Sequence, residues 1–101
     1  MRELRRTVVQ CPPDTAVREI QQLARQYKLD VVFTVFTDTR SAKLAALIAL
    51  QHIIEHDAEV LVVPHLTTRL ANDQQWQAVV AAAEIITSDG PVVGGIAEEG
   101  T

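Results

Sequence analysis

The stretch Glu59–Trp76, EVLVVPHLTTRLANDQQW, decides the fold. Val60, Leu61, Val62 and Val63 form an unbroken apolar run, β-branched at all but one position. A run this short without polar alternation suits a strand buried on both faces, as in a parallel sheet covered by helices. Pro64 ends it, because proline has no N–H to give to a ladder. His65, Thr67, Thr68 and Arg69 follow, then Asn72 and Asp73 as helix-start residues, with Trp76, Val79, Val80 and Ala83 spaced for a third helix over about 72–83. A buried strand, an abrupt stop, a polar loop and a new helix is the pattern by which open α/β sheets present their ligand sites.

Working outward, Thr7–Cys11 (TVVQC) predicts a first strand, stopped by Pro12 and Pro13. Asp14 stands where an N-cap belongs. Val17, Ile20, Leu23, Ala24 and Tyr27 recur at helical spacing, which predicts a first helix over about 15–28, with Asp30 as its breaker. Val31–Thr37 (VVFTVFT) predicts the second strand. Asp38, Thr39, Arg40 and Ser41 form a polar loop, Ser41 as N-cap, before a second helix over about 42–56. That helix is apolar on most sides, through Leu44, Ala46, Leu47, Ile48, Leu50, Ile53 and Ile54, which predicts burial by the sheet and by a second subunit. A fourth strand is expected at Ile85–Thr87, a turn at Ser88–Pro91, a fifth strand from Val92, and fraying from about Gly94.

Strands and helices alternating at these lengths predict an α/β fold. It is a three-layer domain spanning residues 1–101, with a mainly parallel four- to five-stranded sheet and helices on both faces. At 101 residues the chain can build one core. Its 48% hydrophobic content excludes a disordered chain, and 4% aromatic content leaves the core to aliphatic residues. A net charge of −4 argues against a nucleic-acid partner, which would need a basic surface to displace counterions. Cys11 is the only cysteine, so a reducing, cytoplasmic setting is expected. Met1–Thr7 is charged where a signal sequence would be apolar, and the apolar runs are too short to span a bilayer, so no membrane partner is expected.

LVVPHLTTRLAND resembles the strand and catalytic loop of serine recombinases (resolvase/invertase catalytic domains), where the pattern is LVV-x-x-L-D-R-L-x-R. TVVQC, VVFTVFTDTRSAKLAALIAL and IITSDG fall where that family has its first strand, its second strand with mobile loop and helix, and its next strand. The resemblance implies a resolvase/flavodoxin-like fold. It does not carry the activity over. Neither serine nor arginine occupies Val8–Cys11, and the arginine-rich loop is reduced to Arg69. Strand transfer needs a nucleophile and several cations at the phosphate. The expectation is a non-catalytic, resolvase-like domain acting through protein–protein contacts, as a homodimer.

The candidate ligand-binding rim is Asp38, Arg40, Ser41, His65, Thr67, Thr68 and Arg69. Helix N-termini and two arginines would there favour a small anion or a nucleotide. With glycine only at 90, 94, 95 and 100, no phosphate-cradling or dinucleotide fingerprint can be written, and no cofactor is expected. Cys11 with His65 is the weaker, enzymatic alternative, since nothing nearby marks an activated thiolate. His52 and His56 share a helix face without completing HExxH, so they read as solvated histidines and no metal site is expected. Trp76 reads as a core or interface anchor.

Overall fold

The computed structural model describes residues 4–66 and 74–92. Strand β1 (Arg5–Cys11) leads to helix α1 (Val17–Tyr27), β2 (Leu29–Phe36) and α2 (Ala42–His56). Then come β3 (Val60–Val62), a 3-10 turn (Gln74–Trp76), α3 (Gln77–Ala82), β4 (Glu84–Thr87) and β5 (Gly90–Pro91). The five strands form one sheet in the order β2-β1-β3-β4-β5. All neighbours are parallel except β4 and β5. This is the flavodoxin-like order, in three layers.

Strand periodicity deals the core to two faces. Val8, Leu61 and Ile85 join α2, α3 and Trp76 on one side; Val9, Cys11, Val60, Val62 and Ile86 join α1 on the other. Strands β1, β3 and β4 each contribute to both clusters because successive side chains point to opposite faces. Val60, Leu61 and Val62 are completely enclosed, as their unbroken apolarity predicts. Among the described residues, no helix is long and apolar enough to cross a membrane.

The connections depart from expectation in instructive ways. Helix α1 starts at Val17, with Ala16 at the N-cap and no side-chain cap, because Thr15 N–H instead closes a turn onto the Pro12 carbonyl at 3.0 Å. Asp14 is therefore not the cap. Lys28 ends α1 in a left-handed conformation (φ 57°), so β2 begins at the very next residue and Asp30 lies inside the strand. Ser41 caps α2 as its spacing predicts, accepting from Leu44 N–H at 3.1 Å. Asp57 (φ 52°) closes the other end: its N–H bonds the Ile54 carbonyl and Ala58 N–H bonds that of Ile53, the double bond that satisfies a helix's last carbonyls.

The third helix is shorter than its periodicity suggests. The tight 3-10 turn drives Trp76 into the core at 1% exposure, leaving α3 to begin at Gln77. Trp76 is thus a core anchor and not part of an exposed surface; Asn72 and Asp73 lie outside the described residues. The fifth strand comes two residues early. Gly90 takes φ 112°, a conformation L side chains resist, and Thr87 Oγ1 accepts from Asp89 N–H while donating to the Gly90 carbonyl. The tail beyond Val92 lies outside the described residues. Finally, α2 keeps Leu44, Leu47 and Ile54 exposed on the single chain.

Candidate functional site at the strand-order reversal

The chain leaves β1 for β2 on one side and returns to β3 on the other, so a crevice opens where the two connections diverge. In open α/β sheets this is where ligands bind. A cavity of about 130 Å³ occupies it. Gln10, Cys11 and Pro12 wall it from the end of β1, Thr37 and Thr39 from the loop after β2, and Ala45 from the first turn of α2. Val63, His65, Leu66 and Trp76 complete the lining.

Its polar groups are unevenly satisfied. Gln10 is 3% exposed; its Nε2 donates to the Ala45 carbonyl at 3.0 Å, while its Oε1 is buried without a partner. Trp76 Nε1 is likewise buried and unpartnered. Two residues of the pocket wall thus each hold one polar atom that is closed off from solvent and unpartnered. Each such group costs about 1–3 kcal/mol when left unmet, which favours a water or ligand as partner.

Charge is sparse. Among the described residues no lysine or arginine lines the cavity. Asp38, Arg40 and Ser41 are exposed and do not line it. At the start of α2 the Ser41 hydroxyl takes the Leu44 N–H and the Ser41 carbonyl accepts the first intrahelical bond, from Ala45. Thr67, Thr68 and Arg69 lie outside the described residues. Of the described rim residues, only His65 reaches the cavity, where it stands half-exposed with Nε2 4.0 Å from Glu19 Oε1. Ser88 Oγ lies 3.4 Å from Glu19 Oε2 and shares its single proton with the Pro64 carbonyl, which also accepts from Ser88 N–H at 3.2 Å.

Sequence reading missed Gln10, Thr37, Thr39 and Glu19, and placed Trp76 away from any site. Gln10 alone carried a signal: a carboxamide inside an otherwise apolar strand must find partners somewhere. Cys11 lies in the wall, 2% exposed. Burial pushes its thiol up, the Glu19 carboxylate adds to that, and a contact from Thr15 opposes it. The thiol form dominates at neutral pH, which is the wrong state for a nucleophile.

A larger depression of about 510 Å³ lies near the C-terminal end of α1, against Leu4, Gln21, Arg25 and Leu29. It is open helix surface without a buried unpartnered polar group. Comparison with protein-family models, curated proteins and solved structures finds no match.

Proposed function

We propose that this chain is a non-enzymatic binding domain whose ligand is a small neutral molecule seated in the crevice between the ends of β1 and β3. The observation that carries the reading is the buried pair of unmet groups, Gln10 Oε1 and Trp76 Nε1, on the walls of one cavity. Together they ask for a molecule offering an acceptor to the indole and an N–H or O–H to the carboxamide, as amides and lactams do. The size favours few heavy atoms, since sites for larger ligands run to about 300–1,000 Å³. The anion and nucleotide readings lose support on two counts, volume and the absence of a lining lysine or arginine among the described residues. The raised Cys11 thiol supports a domain without a Cys–His reaction centre.

The test uses the chain's single tryptophan, whose indole N–H gives one isolated NMR signal. Saturable shifts of that signal by small amides or lactams, abolished in Gln10→Leu, are the expected result. An indole signal indifferent to every neutral fragment would sink the reading.

A second reading, self-association, rests on the exposed Leu44, Leu47 and Ile54 of α2. The recombinase-like identity is supported by the order of the elements and the LVVPHL stretch. With neither serine nor arginine near the end of β1, such a relative would neither nick nor join supercoiled DNA, and a cytoplasmic setting suits its lone buried thiol.

A further inference from the structure

The last two turns of α2 read His52-Ile53-Ile54-Glu55-His56. Positions three and four apart share one helix face, so both imidazoles and the carboxylate converge while Ile53 enters the core. The histidines are only partly solvated, less than expected. Both are partly buried and stacked on Phe33 of edge strand β2, with ring centroids 5.0 Å and 4.4 Å from it at interplanar angles of 30° and 19°. The imidazoles themselves lie 6.0 Å apart, inclined by only 24°.

We propose that His52, Glu55 and His56 form a binding site for a divalent first-row transition-metal ion of the Zn²⁺ class. One donor atom from each lies within 4.8 Å of the others. Glu55 Oε1 is 3.4 Å from His52 Nδ1 and 3.9 Å from His56 Nε2. His52 Nδ1 is itself buried and makes no hydrogen bond, because the carboxylate contact has the distance but not the direction of one. A carboxylate held between two imidazole nitrogens can be joined to them by a proton or by a metal ion. Two nitrogens and an oxygen suit Zn²⁺, which takes imidazole at about 2.0–2.1 Å. Donors at that radius stand about 3.4 Å apart, so side-chain rotation has to close a widest gap of up to 4.8 Å by about 1.4 Å.

Two surroundings favour a cation here. The C-terminal turn of α2 carries the negative end of the helix dipole. Phe33 backs both rings and holds their planes nearly parallel, which reduces the rotamer freedom lost on coordination. Three donors from one helix leave a fourth position open, the pattern of an exchangeable or reactive ion and not of a closed structural site.

Calorimetric titration of the full chain with Zn²⁺ at pH 7.5 tests this. One ion per chain is expected. His52→Gln and His56→Gln should each weaken binding by about tenfold or more, since even outer partners of a ligating imidazole are worth that much. Glu55→Gln, at an exposed position that folding does not depend on, should weaken it by a smaller factor. Cys11→Ala and His65→Ala should leave it unchanged. Melting curves without metal confirm that each variant is folded, and Zn²⁺ should raise the wild-type melting temperature more than that of either histidine variant. Absence of saturable one-to-one binding, or binding undiminished in the His52→Gln/His56→Gln double variant, overturns the proposal.

Discussion

Helices α1 and α2 cover opposite faces of one sheet by opposite means. Helix α1 spends few apolar residues and hides most of them: Ile20 and Leu23 are buried and Ala24 and Tyr27 half-buried, with Val17 alone exposed at its start, while Arg18, Gln21, Gln22 and Arg25 face water. Helix α2 is apolar nearly all round, yet its most buried residues include two alanines, Ala46 and Ala49, beside Ile53. Its larger side chains Leu44, Leu47 and Ile54 point outward, the last at 70% exposure. Small residues let α2 lie close to the sheet, and close approach turns the leucines away. Apolar content thus measures what a helix could bury, and residue size at the contact decides what it does bury.

The sheet both helices share should give the largest effect. Val62→Asp places a carboxylate in the α1-side core, where nothing can pair with it. Its cost of several kcal/mol is comparable with a total stability of about 5–15 kcal/mol. Loss of the cooperative thermal transition is expected; a variant that melts near the wild type would remove β3 from the centre.

The helices can then be compared directly. Leu23→Ala should cost about 2–4 kcal/mol, because the removed atoms leave a hole in a packed cluster. Leu47→Ala, on the apolar helix, should cost no more than about 0.5 kcal/mol in dilute solution, since the side chain is 54% exposed. Urea denaturation of both variants measures the difference. Equal losses would break the contrast between α1 and α2.

The same contrast marks how far the sequence could be read. Strand β3, the span of α2 and the Ser41 cap follow from local chemistry alone: a β-branched run before proline, a periodicity, and a hydroxyl three residues before the N–H it accepts from. The left-handed residues that close both helices were not visible, since neither Lys28 nor Asp57 belongs to the residue type that most favours such a turn. The candidate site was legible only as a place, the C-terminal rim of the strands. Polar loop residues drew attention there, whereas the cavity is walled by Gln10 from a strand and Trp76 from a 3-10 turn. Which buried polar atoms end up unpartnered depends on tertiary packing, and no spacing rule encodes it.

Cys11 offers a subtler measure of the α1 side. Burial holds its folded thiol above the unfolded value, so the native state binds the proton more tightly than the unfolded chain. That contribution is fully present below about pH 8.5, the free-thiol value, and is lost as pH rises through the folded pKa. Wild type should therefore lose stability between neutral and alkaline pH relative to Cys11→Ala, whose curve should be flatter. Iodoacetamide should alkylate the native thiol far more slowly than the urea-unfolded one at pH 7.5. Parallel stability curves for the two proteins would show that the thiol is not desolvated.

The smallest effect on folding belongs to Ile54→Lys, and it bears most directly on why α2 differs from α1. An exposed isoleucine contributes little to the monomer, so the melting temperature at low concentration should hardly move. Exposed large apolar side chains are, however, the usual mark of a surface that meets another protein. Leu44, Leu47 and Ile54 recur at spacings of three and seven along one side of α2, so a second copy could bring the same stripe against itself about a two-fold axis, the commonest symmetry of soluble homo-oligomers. Light scattering across a micromolar dilution series should then give a mass rising from the 11.1 kDa monomer toward twice that value. Ile54→Lys should hold the mass at the monomer by placing two like charges near the axis. A wild type that stays monomeric at every concentration would end the dimer, and would leave the apolar stripe of α2 to a different protein partner.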